Sequence, residues 1–320
     1  MEKRIQIDRT DLSVCPIGLG TVGAGLDWDG KAADEVFETY LELGGNLVDS
    51  AHVYSDWVAP EVARSERVIG DWLSRSGKRE QITLITKGGH PNMVCEKPDM
   101  HHSRMTRKDM IEDLNSSLKN LRTDHVDIYF YHRDDVHQSV EELVEVMEDF
   151  VKEGKIRYYG CSNWKTARMK AADDYCRKQG YRGFIANQAL LNMGLKYMKP
   201  MLDDTMESFD SDMLHYHETT PSNLAMPYMG VCSGFFHLYL ANGAEAVKNS
   251  PYYTEGNLKV ADRVRELMNQ YHASVSQVLL GFFTQQEFQC APLYGPQTID
   301  HLKDAMHTMD IPFKKADFIF

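Results

Sequence analysis

The chain has 320 residues, of which 42% are hydrophobic and 26% charged, and this balance excludes a fibrous, collagen-like or largely disordered protein. With 35 Lys and Arg against 47 Asp and Glu, the formal net charge is -12, which disfavours nucleic acid or an anionic membrane as the main partner. No apolar run reaches the roughly 18 residues of a membrane span, and the amino terminus has no signal or transit pattern. We therefore expect a cytoplasmic protein that acts on a small molecule, with its oligomeric state left open.

Short β-branched runs alternate with amphipathic helical stretches along the whole chain. Helical periodicity is found at 34–43, 65–74, 107–121, 139–152 and 166–177, and a sixth helix is expected around 206–218. Strands are predicted at 14–20, 46–50, 82–87, 126–132, 156–161, 184–188, 224–230 and 290–295. Eight strand–helix units in this length favour an α/β fold, a closed (β/α)8 TIM barrel, over an open doubly wound sheet.

Three features complete the predicted organisation. A β-hairpin formed by 4–7 and 12–14 lies outside the repeat, where it could plug the bottom of the barrel. No linker, Pro-rich stretch or charge block divides the chain, so residues 1–320 are interpreted as a single domain. The six Cys are scattered and the His pairs lack further ligands at metal-binding spacing, so we expect reduced thiols and no metal site.

Ionisable groups concentrate at the carboxyl ends of the predicted strands. Asp49, Lys87 and His132 end the second, third and fourth strands, and Tyr54 lies just past the second. Because these ends converge on one barrel mouth, the four side chains are expected to meet there. Tyr54 can act as a proton donor if Lys87 lowers its pKa of about 10, with Asp49 holding Lys87 charged and His132 hydrogen-bonding the reacting oxygen.

Several short motifs surround these residues. They are Gly18-Leu-Gly-Thr21, Asp49-Ser-Ala-His-Val-Tyr54, Ser65-Glu-Arg-Val-Ile-Gly70, Ile85-Thr-Lys87, Tyr129-Phe-Tyr-His132, the stretch from Glu153 to Asn163, and Asn187-Gln188. In this order and spacing, the chain resembles the aldo-keto reductase superfamily nearly from end to end. The resemblance implies a (β/α)8 barrel, a nicotinamide cofactor, and a catalytic tetrad of Asp49, Tyr54, Lys87 and His132.

The resemblance also implies a set of cofactor-binding residues. These are Gly20, Thr21, Val22 and Asp49 near the opening turn, Ser162, Asn163 and Gln188 at the carboxamide, Tyr228 stacked on the nicotinamide, Met229, Gly230 and Ser233 at the diphosphate, and Gly295, Gln297 and His301 after the last strand. The family commonly places Lys or Arg against the adenosine 2′-phosphate, where this chain has Gln297 and His301. A 2′-phosphate favours a fixed cation, so both NADP and NAD stay open as the cofactor.

Substrate contacts are predicted for Trp28, Trp57, His90 and His132, although the two Trp side chains could equally pack their loops. The polar loops favour a small hydroxylated substrate such as a sugar or polyol. An alternative within the same fold is a cofactor-binding sensor or partner subunit with vestigial turnover, similar to the channel-associated branch of the superfamily. A metal-dependent hydrolase would need three or four ligands at strand ends, where only Asp49 and His132 qualify.

Overall fold

The architecture is a barrel of parallel strands surrounded by helices. A computed structural model describes residues 4–95 and 97–319. Residue 96, inside the long loop that follows the third predicted strand, therefore lies outside the described residues, as do residues 1–3 and 320 of the predicted domain. No helix in the described ranges is long and apolar enough to cross a membrane.

The strands are β1 (Ile5–Gln6), β2 (Ser13–Val14), β3 (Gly18–Gly20), β4 (Leu47–Asp49), β5 (Thr83–Gly88), β6 (Val126–Tyr131), β7 (Ile156–Ser162), β8 (Phe184–Gln188), β9 (Leu224–Ala225) and β10 (Leu293–Tyr294). The helices are α1 (Gly30–Glu42), α2 (Arg64–Ser76), α3 (Arg107–Leu121), α4 (Val140–Lys152), α5 (Thr166–Gln179), α6 (Ser211–Thr219), α7 (Phe235–Asn242), α8 (Glu255–Tyr271), α9 (Val275–Thr284) and α10 (Ile299–Met306).

Eight parallel strands form one sheet in the order β10-β3-β4-β5-β6-β7-β8-β9. Backbone hydrogen bonds then join its two ends. Ala291 N donates to Ala225 O at 2.9 Å, and Leu293 N donates to Pro227 O at 2.8 Å. The predicted (β/α)8 barrel is thereby confirmed.

The predicted hairpin is also present and closes one end of the barrel. Strands β1 and β2 pair antiparallel, with Ile5 opposite Val14. Ile7, Leu12 and Val14 are buried in one cluster with residues inside the barrel, including Leu47. Burial of these side chains seals the end opposite to the carboxyl ends of the strands.

Several predicted boundaries were wrong, and the last two strands, predicted at 224–230 and 290–295, span only Leu224–Ala225 and Leu293–Tyr294. The first strand, predicted as 14–20, is split because Val14 pairs within the hairpin and Pro16, which lacks an N–H, separates it from β3. The sixth helix begins at Ser211 rather than near 206. Residues 207–209 instead run extended beside Leu190, which donates to Glu207 O and accepts from Phe209 N, both at 2.9 Å.

One sequence motif has a structural explanation in helix α2. Its residue Glu66 is fully buried and accepts hydrogen bonds from Thr86 Oγ1 at 2.6 Å and from Asn120 Nδ2 at 3.1 Å. One turn later, a Cβ added to Gly70 would lie 2.1 Å from Asn120 O. Glu66 and Gly70 together therefore bring α2 into close contact with the end of α3.

Gly70→Ala is expected to destabilise the protein by about 1–3 kcal/mol, because the added methyl group meets backbone rather than a flexible side chain. The measurement is the free energy of unfolding in urea. Ser74→Ala, an exposed change in the same helix, is the matched control and should leave that free energy nearly unchanged. Equal effects of the two substitutions would contradict the proposed contact.

Candidate active site

The candidate catalytic side chains lie on the inner face of the barrel because side chains alternate along a strand. Leu47 on β4 and Ile85 on β5 belong to the apolar cluster inside the barrel. Two residues further along each strand come Asp49 and Lys87, which therefore also point inward. His132 likewise comes two residues after a member of this cluster on β6. Asp49, Lys87 and His132 all lie at the carboxyl ends of their strands.

Lys87 and Asp49 form a buried ion pair. Lys87 Nζ donates to Asp49 Oδ2 at 2.7 Å, and both side chains are only 1% exposed. The ammonium group also donates to Ser50 O at 2.7 Å and to Tyr54 Oη at 2.8 Å. Gln188 Nε2 donates to the other oxygen of Asp49 at 2.7 Å. All three N–H groups of the ammonium and both carboxylate oxygens thus have partners.

Tyr54 lies on the loop after β4 with its hydroxyl between the two charges. The hydroxyl accepts from Lys87 and donates to Asp49 Oδ2 at 3.1 Å. Burial, and then the Asp49 carboxylate, raise the pKa of Tyr54 well above its usual value. The lowered pKa expected for Tyr54 beside Lys87 is therefore not found, because burial and the Asp49 carboxylate have the larger effect.

His132 and His90 lie beside this hydroxyl. The rings of His132 and Tyr54 are 5.8 Å apart, and those of His132 and His90 are 4.7 Å apart. Burial lowers the pKa of His132 well below its usual value, and burial lowers that of His90 to about 4. Both imidazoles are therefore neutral at pH 7. Nδ1 of His132 is buried with no hydrogen-bond partner among the described residues.

A cavity of about 440 Å³ opens over these side chains. Most of the predicted site residues line it, and this group comprises Gly20, Val22, Asp49, Tyr54, His132, Ser162, Asn163, Gln188, Tyr228, Met229, Gly230, Ser233 and Gly295. They come from the carboxyl ends of several strands and from the loops that follow. The cavity is within the size range of small-molecule sites in proteins.

Several predicted residues do not line the cavity. The Thr21 hydroxyl is turned into the protein, where it donates to Asp49 O at 2.8 Å. Trp57, Gln297 and His301 are exposed. Trp28 is 4% exposed, and its indole N–H donates to Pro296 O at 3.0 Å. Trp28 therefore packs its loop, which corrects its assignment as a substrate residue.

Asn163 connects three parts of the cavity wall. Its Nδ2 donates to His132 O at 3.2 Å and to Ser162 Oγ at 3.1 Å. Its Oδ1 accepts from Tyr228 Oη at 2.7 Å and from Glu207 N at 3.1 Å. A φ of 61° at Asn163, in the left-handed region, turns the chain after β7 and places the amide among these partners.

The loop after β9 has an unusual backbone. Met229, Cys232 and Ser233 have φ values of 56°, 54° and 49°, and Gly234 follows with a φ of 76°. Left-handed residues interspersed in a turn are typical of backbone concavities that bind anions. Non-glycine residues are held in this conformation at some cost in stability, and such strain is frequent at functional sites.

Four residues that line the cavity were not assigned to it from sequence: Arg133, Met206, Val231 and Leu293. Arg133 directly follows His132, and that position was the available signal. Met206 comes from the connection between β8 and α6, where no pattern pointed to the site. No group of three or more His, Cys, Asp or Glu that could hold a metal ion is found in the described ranges.

Comparison with known proteins agrees with this geometry. The model of the aldo/keto reductase family matches residues 16–319. The chain belongs to this family. Three relatives are 23–26% identical to it over 90–97% of the chain.

Among the relatives is the uncharacterized oxidoreductase YrpG of Bacillus subtilis, which is 26% identical over 97% of this chain and 91% of its own length. An aryl-alcohol dehydrogenase [NADP(+)] of Phanerodontia chrysosporium is 24% identical over 97% of this chain and 82% of its own length. Norsolorinic acid reductase B of Dothistroma septosporum is 23% identical over 90% of this chain and 70% of its own length.

The neutral His90 makes the stability of this aldo/keto reductase depend on pH. Because its pKa is about 4 in the folded protein and about 6.5 when unfolded, the unfolded chain binds a proton below pH 6.5 that the folded protein does not. Stability is thus lost as the pH falls. From pH 7 to pH 5 this group alone accounts for about 2 kcal/mol.

His90→Asn should reduce the loss of unfolding free energy between pH 7 and pH 5 by about that amount. The measurement is urea unfolding at both pH values. His102→Asn, a change at an exposed histidine, is the control and should keep the wild-type slope. A His90→Asn slope equal to wild type would show that this imidazole is not held neutral.

Proposed function

We propose that this protein is an NAD(P)-dependent oxidoreductase that interconverts a carbonyl and an alcohol, acting on CH–OH donors in the reverse direction. One observation carries the proposal. The Tyr54 hydroxyl sits at the cavity wall, 2.8 Å from the Lys87 ammonium, with the neutral His132 beside it. A proton donor, a cation that stabilises its anion, and a neutral hydrogen-bonding group are what carbonyl reduction requires of the protein.

The raised pKa of Tyr54 keeps its proton in place at neutral pH. In reduction, the hydrogen bond from Tyr54 to Asp49 is exchanged for one to the carbonyl oxygen, and the proton then moves from Oη to that oxygen. The adjacent Lys87 ammonium stabilises the phenolate that remains. Oxidation of the alcohol runs the same transfer backwards, with the phenolate accepting the proton.

His132 orients the carbonyl. As a neutral imidazole it can donate a hydrogen bond to the carbonyl oxygen without placing a full charge beside Lys87. Its backbone oxygen accepts from Asn163 Nδ2 and from Arg133 Nη1 at 3.2 and 3.1 Å, which holds the end of β6 in position. His90, in ring contact with His132, supports the same orientation.

The cavity wall fits a nicotinamide dinucleotide. Ser162, Asn163 and Gln188 offer amide and hydroxyl groups for a carboxamide, and Tyr228 offers its ring. The left-handed turn at 229–233 offers a backbone concavity for a diphosphate. When bound, the reduced cofactor supplies the hydride that the carbonyl carbon receives.

Two substrate classes are proposed for comparison. The sequence-based prediction is a small polar substrate such as a sugar or polyol, for which Trp57, 47% exposed on the loop after β4, would offer a ring to stack on. The second class is an aromatic aldehyde or alcohol, favoured by the names of the relatives and by Val22, Met206 and Leu293 in the cavity wall. Both leave the chemistry at Tyr54 unchanged.

The proposed function is tested by titrating the protein with NADH and NADPH, following Tyr and Trp fluorescence, and then adding aldoses, keto-sugars and aromatic aldehydes. In Tyr54→Phe, kcat should fall by at least about a hundredfold because the proton donor is gone, while the cofactor Kd changes little. Phe keeps the ring that packs near Lys87 and removes only the hydroxyl.

Near-normal turnover in Tyr54→Phe would show that another group donates the proton. Tight cofactor binding without turnover of any carbonyl would favour the sensor or partner subunit. Failure to bind either nucleotide would overturn the cofactor assignment itself.

Cofactor choice is tested at Gln297, which follows β10. Gln297→Arg adds a cation where a 2′-phosphate is expected, and should raise the preference for NADPH over NADH, as the ratio of Kd values, by about tenfold. Gln289→Arg adds the same charge at the other end of the barrel, where Gln289 contacts the hairpin at Gln6 O. An equal shift in both variants, or none in Gln297→Arg, would contradict the placement of the phosphate.

A further inference from the structure

Arg133 is a charged cavity residue that the proposed reaction uses only to hold the end of β6 in position. It follows His132 at the end of β6 and lines the same cavity as Tyr54 and Tyr228. Its side chain is only 12% exposed. A guanidinium that is this buried needs hydrogen-bond partners, and the N–H groups that these partners leave unused are the ones that can bind a ligand.

The hydrogen bonds of Arg133 leave part of the guanidinium open. Nε donates to Thr205 Oγ1 at 3.0 Å, Nη1 to His132 O at 3.1 Å, and Nη2 to Asp203 Oδ2 at 3.1 Å. A guanidinium has five N–H groups, so two have no partner among the described residues.

The counter-ion of Arg133 is a weak competitor for these two N–H groups. Asp203 contacts Arg133 through Oδ2, while its Oδ1 is engaged by Thr205, from N at 3.0 Å and from Oγ1 at 2.5 Å. The pair is therefore held by one hydrogen bond rather than by the two parallel bonds that Arg forms with a free carboxylate.

The charge of Arg133 reaches the reacting groups. It acts to lower the pKa of Tyr54, His132 and Tyr228, which line the cavity, and that of His90 beside His132. For the two tyrosines, this influence runs against the larger effect of burial. A substrate in contact with Tyr54 and His132 therefore lies within the field of this cation.

We propose that Arg133 is a specificity-determining residue that selects substrates bearing a carboxylate in addition to the reacting carbonyl, through its two open N–H groups. This inference rests on the proposed function for its substrate, but the binding it describes does not require turnover. It applies to both substrate classes, as a uronic acid in one and a formylbenzoate in the other.

The proposal is tested with pairs of probes of nearly the same shape, one bearing a carboxylate and the other a neutral carboxamide. Turnover is compared for 4-formylbenzoate and 4-formylbenzamide, and binding for benzoate and benzamide by calorimetry on the protein with its cofactor. In wild type the anion is preferred at least tenfold in both measurements, as expected for a charge-assisted pair. Arg133→Gln brings the ratio close to one, and Arg133→Lys gives an intermediate ratio because it loses the planar fork.

Two further variants separate anion binding from a purely structural role. Asp203→Asn removes the competing carboxylate and raises the preference for the anion. If Arg133 only held the 203–206 segment in place, Asp203→Asn would instead lower the ratio as Arg133→Gln does. Arg157→Gln is the matched control, because Arg157 pairs with Asp11 and Asp127 away from the cavity, and it keeps the wild-type ratio.

A wild-type ratio near one, a wild-type ratio retained in Arg133→Gln, or a lowered ratio in Asp203→Asn would each overturn the proposal. Failure of the proposed function looks different. In that case neither aldehyde is reduced, yet benzoate binding still depends on Arg133. Reduction of both aldehydes with equal efficiency would contradict the role of Arg133 in substrate selection without contradicting the proposed oxidoreductase function.

Discussion

The ion pair between Lys87 and Asp49 is the interaction around which the site is organised. Removing two charges from water costs several kcal/mol per ion, and such a pair is tolerated only when every remaining donor and acceptor is satisfied. Here Ser50 O, Tyr54 Oη and Gln188 Nε2 complete the set. The position of the Tyr54 hydroxyl is thus a consequence of satisfying a buried ammonium group.

Further buried hydrogen bonds connect the strands behind this ion pair. Thr21, Ser50 and Ser65 form a chain of buried hydroxyls behind the pair, with Oγ separations of 2.6 and 2.7 Å, and Thr21 donates to Asp49 O. Ser65 begins the same helical turn as Glu66, so α2 braces β4 and β5 together. The serine–glutamate–glycine motif therefore supports the site from behind, without touching the cavity.

The barrel and the meeting of three candidate site residues at its mouth could be predicted because both depend on local periodicity. Alternation along β4, β5 and β6 determines that Asp49, Lys87 and His132 share one face, and the closed sheet determines that they meet. What could not be predicted depends on competition between distant groups. The pKa of Tyr54 reflects burial against two opposite charges, and the fate of Trp28 depends on a carbonyl 268 positions away along the chain.

The hydrogen bonding of Asn163 has a thermodynamic consequence for ligand capture. Its amide has two donors and two acceptor sites, and four protein partners already occupy them. A ligand that bonds to this amide must therefore replace a partner, and the net gain in enthalpy is small. Tyr228 is suited to such an exchange because its hydroxyl has a second acceptor, Glu207 O, at 3.3 Å. Hydrogen bonding to the Asn163 amide therefore orients a ligand more than it increases the affinity for that ligand.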